Sequence, residues 1–249
     1  MPIPVTRRWW GVCVGAALLA VWAWCGQSVN AKPERELKLG RLEIGKVLFL
    51  GNSITLHGPK SDIGWTGNWG MAASAPEKDF VHLLLDQITR EAGGKPEVKI
   101  RNLADFERRL LDFPLEEGLK EELAFEANLV IVALGENATS PKTEAERETF
   151  SRAFDNLLAK LAAHGKPTLL VRNSFWPDDA KDQLMQQAAR RANAVYVDLE
   201  KLGADPSHAA GSERQIEHAG VAAHPGDKGM EAIAARLWKS LRDSAGLKE

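Results

Sequence analysis

The 249-residue sequence is poor in cysteine, and its two, Cys13 and Cys25, both lie within the first 31 residues. A chain that begins after residue 31 therefore has no disulfide, no thiolate nucleophile and no cysteine metal site. The uncharged apolar run from Trp9 to Trp24 has 16 residues, short of the roughly 20 that a membrane-spanning helix needs. Basic charge is not in excess either. Taking Arg7 and Arg8 from the 32 Lys and Arg leaves 30 against 34 Asp and Glu, a net charge near -4, which argues against a nucleic-acid partner. There is no P-loop, and no glycine-rich dinucleotide fingerprint follows the first strand candidate. No His/Asp/Glu cluster has metal-ligand spacing. Neither a metal nor another cofactor is expected.

What the first 31 residues do contain is an ordered set of signals. Arg7 and Arg8 precede the apolar run, and "SVNA" follows with Val29 and Ala31 at the small positions of a cleavage site. That order is the layout of a signal peptide, with an uncleaved membrane anchor as the alternative. The expected location is periplasmic or extracellular, with no stable membrane partner unless the segment stays attached. Residues 32–45 read as a charged linker, and residues 46–249 as one domain with a single core.

Within that domain, short apolar runs alternate with helical patterns. Strand candidates are "VLFL" at Val47, "EVKIRN" at Glu97, "LVIVAL" at Leu129, "PTLLV" at Pro167 and "AVYVDL" at Ala194. Near-continuous apolar strands suit a parallel sheet buried on both faces. Between them, Thr143 and Glu146 form a capping box ahead of the apolar face Phe150, Phe154, Leu157, Leu158 and Leu161. One further helix is expected from Asp79 to Gly93 and another over Met230 to Leu241. Five strands in alternation with helices predict an α/β fold, a three-layer α/β/α sandwich around a five-stranded parallel sheet, flavodoxin-like in topology. In such a sheet the ligand sits beyond the carboxyl ends of the strands.

Three short stretches fall at that edge. Ser53 follows "VLFLGN", Asn137 follows the third strand in "GEN", and His224 sits in "HPGDKGM" just before the last helix. Each alone has an ordinary reading: a turn serine, a loop asparagine or glycosylation sequon, a capping histidine. Together, in this order, they resemble the SGNH or GDSL hydrolase family, over Lys46 to the final helix. The resemblance implies the SGNH hydrolase fold and a serine esterase, with Ser53 as nucleophile, His224 as general base and Asn137 as an oxyanion donor. Asn52 stands where the family often has aspartate.

Two departures accompany the resemblance. The stretch "NLADFERR" lacks the glycine whose N–H completes the family's oxyanion hole, so the backbone of Glu107, or else of Ala104, is expected in that place. The triad acid is missing as well: Val221 occupies the position three residues before His224. A backbone carbonyl, or a carboxylate such as Glu217, Asp205 or Asp227, is left to orient the ring. The motif "DPSH" at Asp205–His208 is read as a decoy because no glycine and apolar helix follow it. Asn52, His57, Trp65, Trp69 and Glu136 are expected to contact substrate, the two tryptophans by stacking on a sugar ring, and Trp176 is a further candidate for the rim. The substrate is expected to be a small-molecule or glycan ester, foremost an acetylated carbohydrate. The alternatives are a glycan-binding module on an impaired hydrolase scaffold, a lipase or aryl esterase of the same family, and a flavodoxin-like phosphate binder. The sequence does not fix the oligomeric state.

Overall fold

A computed structural model of the protein describes residues 36–247. The signal-peptide reading of residues 1–31, together with Cys13 and Cys25, lies outside the described residues.

Two short strands, β1 (Lys38–Leu39) and β2 (Leu42–Glu43), pair antiparallel. They correct the expectation of a linker over residues 36–45, while residues 32–35 lie outside the described residues. Leu39 and Ile44 are fully buried, so this hairpin is part of the domain rather than a tether to it.

β3 (Lys46–Gly51) then starts the main sheet and leads to α1 (Phe80–Ala92). Next come β4 (Glu97–Asn102), α2 (Ala104–Arg109), the short turns α3 (Leu115–Gly118) and α4 (Lys120–Ala124), and β5 (Leu129–Ala133). The chain finishes with α5 (Glu144–Ala163), β6 (Thr168–Arg172), α6 (Asp179–Arg191), β7 (Val195–Val197), α7 (Ala219–Ala222) and α8 (Asp227–Ala245). The five strands β4-β3-β5-β6-β7 lie side by side and all parallel. The α/β sandwich predicted from the strand runs is the observed architecture.

Alternation along β3 divides the core. Val47 and Phe49 point to the side covered by α1 and α8, where Phe80, Leu84, Ile233 and Leu237 pack. Leu48 and Leu50 point to the opposite side, against Phe106 and the α5 face of Phe150, Phe154 and Leu157. Because both faces are covered, β5 is buried at every residue, as a central parallel strand requires.

The helix ends follow from local chemistry. Asp79 caps α1 by accepting from the His82 N–H, and Gly93 ends it in the left-handed conformation. Thr143 and Glu146 make the reciprocal capping box of α5. Chain order reverses direction at β3, which has β4 on one side and β5 on the other. This is the switch point at which a crevice opens beyond the carboxyl ends.

Candidate active site

The turn that ends β3 carries Asn52 and Ser53. Gly51 is needed there, since a Cβ would stand 1.8 Å from Thr55 Oγ1, and the turn closes with Thr55 and Leu56 N–H groups donating to the Asn52 carbonyl. Ser53 is thereby held at the sheet edge. Its Oγ lies 2.9 Å from His224 Nε2.

The other imidazole nitrogen settles the direction of that bond. His224 Nδ1 lies 2.6 Å from the Gly220 carbonyl oxygen, which can only accept, so Nδ1 carries the proton and Nε2 is left as the acceptor. The Ser53 hydroxyl donates to Nε2, the arrangement a general base needs. Val221, at the position of the missing acid, is buried with Trp65, Met71 and Ala210. The carbonyl one residue earlier orients the ring instead. Of the carboxylates considered for this role, Asp227 accepts from Ser74 and Asp205 from the Ser207 N–H. His208 of "DPSH" bonds to the Leu202 carbonyl. Trp176 and the His224 ring meet nearly at right angles, with centroids 5.3 Å apart, and burial holds the imidazole below its usual pKa against the opposing effect of the Gly220 bond. The imidazole is therefore neutral at neutral pH.

Asn137 arrives from the loop after β5. Gly135 begins that loop at φ 124°, a backbone conformation that favours glycine. Lys181 of α6 is buried beneath it and clamps it, Nζ donating to the Gly135 and Ala138 carbonyls at 2.8 and 3.0 Å. The Asn137 amide is oriented from two sides: its nitrogen donates to Glu107 Oε2 at 2.7 Å, and its oxygen accepts from Arg108 at 3.2 Å. One amide proton remains for a ligand. Asn102, at the end of β4, is held similarly. Its nitrogen donates to the Leu56 carbonyl at 2.7 Å.

Below these residues runs a buried polar chain. The Asn52 amide nitrogen donates to Glu107 Oε1 and to Glu136 Oε2, at 3.1 and 2.6 Å. Glu107 also accepts from the Gly135 N–H, and Glu136 pairs with Arg172 at 2.6 Å. Burial, and then the charge of Glu136, push the Glu107 carboxyl up. Glu136 is also buried, but Arg172 and its hydrogen bonds outweigh that burial and hold it below the usual range. These contacts explain the amide at position 52. Both of its protons are used between two carboxylates, whereas aspartate would add a third carboxylate and no donor. Asn52→Asp is expected to lose about 3 kcal/mol or more of stability, the scale of an uncompensated buried charge, measurable in urea unfolding; an unchanged midpoint would refute this account.

The crevice over Ser53 has a volume of about 450 Å³, and His57, Asn102, Ala104, Arg108, Asn137 and His224 are among its lining residues. His57 is placed where substrate contact was expected, with Nδ1 donating to the Gly58 carbonyl at 2.6 Å. Four other expectations are corrected. Glu107 is 1% exposed and serves through its carboxylate as a buried acceptor, not through its N–H as an oxyanion donor. Ala104 reaches the crevice, but its N–H is taken by Asn102 Oδ1 at 3.0 Å. Asn52 and Glu136 lie below the surface in the polar chain, out of reach of substrate. Trp65 and Trp69 pack edge-to-face, centroids 5.4 Å apart, with their indole N–H groups donating to the His57 and Ala73 carbonyls. Trp65 is buried and Trp69 half-buried, and neither is among the residues lining the crevice over Ser53.

Other residues of the site went unread in the sequence. Gly220 acts through a carbonyl, for which no side chain gives a signal. His218 had no motif around it, and Arg108, although inside "NLADFERR", was given no role. Arg172 was hidden at the end of an apolar strand, although a charge just inside the "TLLVR" run was available as a sign of a buried partner.

No family model matches the chain, and no curated protein matches it in sequence. Solved structures do match. A two-domain esterase active on acetylated mannans, crystallised with mannopentaose, is 21% identical over 82% of this chain, with a TM-score of 0.53. This chain spans about half of that protein, 51%. A protein from Parabacteroides merdae ATCC 43184 described as a GDSL-like lipase is 16% identical, matched over 85% of this chain and 100% of its own, TM-score 0.53. A family two carbohydrate esterase from Clostridium thermocellum is 13% identical over 85% of this chain and 66% of its own, TM-score 0.54. The chain has the fold of the SGNH or GDSL hydrolases.

Proposed function

We propose that the protein is an exported serine esterase that removes O-acyl groups, foremost acetyl, from carbohydrates. The observation that carries the reading is the Ser53 hydroxyl donating to His224 Nε2 at 2.9 Å, in a fold whose matched structures include esterases that act on carbohydrate. Export rests on the order of signals in residues 1–31. Among the described residues no helix is long and apolar enough to cross a membrane.

In this mechanism His224 Nε2 takes the hydroxyl proton as Ser53 Oγ bonds to the ester carbonyl carbon. The carbonyl oxygen becomes an oxyanion, facing the Ser53 N–H and the spare amide protons of Asn137 and Asn102. Collapse breaks the carbon–oxygen bond to the alcohol, which leaves with the proton from Nε2. Water then attacks the acyl-enzyme, gives its proton to the same nitrogen, and frees the acid and Ser53. The Gly220 carbonyl keeps the imidazole in one tautomer and steadies its transient charge, the part an aspartate plays in a triad.

The test is release of acetate from para-nitrophenyl acetate and from an acetylated sugar, combined with mass detection of a fluorophosphonate adduct on Ser53. Turnover with a single adduct at Ser53 is expected. Asn137→Ala should lower kcat by about 10²- to 10³-fold, as loss of one preorganised oxyanion donor does. No turnover and no adduct, with retained binding of sugar, would move the assignment to a glycan-binding module.

A further inference from the structure

The crevice over Ser53 has an unusual balance of charge for a protein whose acidic residues outnumber its basic ones. Its lining includes Lys60 and Arg108, three imidazoles (His57, His218 and His224) and no carboxylate. Lys60 emerges from a fixed point, because its backbone and that of Trp65 exchange both hydrogen bonds across the loop. Its only charged partner among the described residues is Asp62 at 3.6 Å, with both side chains more than half exposed, a pair of little strength. Arg108 stands in the last turn of α2 and donates to the neutral oxygen of Asn137. Among the described residues no carboxylate pairs with it, and Asn137 takes only one of its guanidinium donors. His218 adds a donor: its Nδ1 accepts from the Val221 N–H, so Nε2 carries the proton.

The nearby carboxylates face elsewhere. Glu107 is sealed beneath the floor by Asn52, Gly135 and Asn137. Asp62 and Glu217 line a second depression of about 560 Å³, which shares only Ile63 and His218 with the first. Positive charge is thus concentrated beside the nucleophile, and since an acetyl group carries no charge, a matching anion belongs to the alcohol part of the ester. A cleft lined by one sign of charge attracts and orients an oppositely charged ligand, and a guanidinium presents its donors as a fork that fits carboxylate and sulfate alike.

We infer that the ester substrate carries an anionic group, a carboxylate or a sulfate, on its alcohol part, read by Arg108 and Lys60. The substrate class is then an acylated acidic glycan rather than a neutral one. This rests on the esterase reading above and adds a specificity to it.

The experiment compares meta-acetoxybenzoate and meta-acetoxybenzenesulfonate with methyl meta-acetoxybenzoate, which has the same acyl group and no charge. At low salt, kcat/KM for an anionic ester is expected to exceed that for the methyl ester by roughly three- to tenfold, the range of two exposed charge contacts. The ratio should fall towards unity near 1 M salt, where the Debye length is about 3 Å. The double substitution Lys60→Gln with Arg108→Gln, both at exposed positions, should bring the low-salt ratio close to unity, whereas Lys239→Gln, exposed on α8, should leave the ratio in place. Preference for one anion only would support the inference and identify the group. A ratio at or below unity in the unaltered protein, or one that survives the double substitution, would overturn it while leaving the esterase reading intact. Hydrolysis of none of the three esters would overturn the esterase reading, and the inference with it.

Discussion

Replacing either Ser53 or His224 by alanine is expected to lower kcat/KM for ester hydrolysis by about 10³- to 10⁶-fold, and combining the two substitutions should cost little more than the worse of them. The non-additivity follows from their single hydrogen bond. The hydroxyl is a weak nucleophile unless Nε2 takes its proton, and the imidazole has no role once the hydroxyl is gone. Loss of the acid partner in a triad leaves the ring in the wrong tautomer, but here the Gly220 carbonyl fixes the tautomer, so no side-chain substitution mimics that loss. The pH profile gives a second readout of the same pair. Because burial lowers the His224 pKa, the neutral base persists below the ordinary value of about 6.5, and kcat/KM should fall only once pH drops through that lowered value. An acid limb centred above 7 would contradict the assignment of His224 as base, as would alanine variants that retain turnover.

Arg172→Met should be the most destabilising single change in the site region, by about 3 to 5 kcal/mol, the cost of breaking a buried ion pair, or a drop of roughly 6 to 20 °C in melting temperature for a domain of this size. The reason is geometric. The Arg172 side chain is 0% exposed and that of Glu136 2%, so removing the guanidinium strands a carboxylate next to another, Glu107. Glu136→Gln combined with Arg172→Met should cost less than the sum of the single losses, because the partners touch. Thermal unfolding followed by circular dichroism measures both, and a loss below about 1 kcal/mol in the single variant would show that solvent reaches the pair.

Much of the fold was readable because the residues that build it are individually unambiguous. "LVIVA" cannot be amphipathic at any period, and Thr143 with Glu146 caps a helix wherever an apolar stripe follows. α6 was harder: its buried face is Leu184, Met185, Ala188 and Ala189, and alanines carry a weak apolar signal. The hairpin at Lys38–Glu43 was misread as a linker because strands of two residues show no alternation. In the site, Ser53, Asn137 and His224 were singled out by their order at strand ends and before the last helix, and the structure brings them to one crevice. Glu107 was found for the wrong reason. Its position in "NLADFERR" suggested a backbone donor, and only packing shows that the helix turns its carboxylate inward to bind two asparagines. The tryptophans misled in the opposite direction, since an indole amid glycines is equally suited to meeting a sugar or to filling the underside of a loop.

The chain from Arg172 through Glu136, Asn52 and Glu107 to Asn137 joins the carboxyl ends of four strands, β6, β5, β3 and β4. No segment can complete its own share of these contacts, so the Asn137 amide acquires its orientation only when the ends of separate strands have come together. A partly opened molecule that retains most of its helices therefore lacks a working site. Catalytic competence should vanish with the cooperative unfolding of the sheet rather than fade loop by loop, and residual activity in denaturant becomes a direct count of intact molecules.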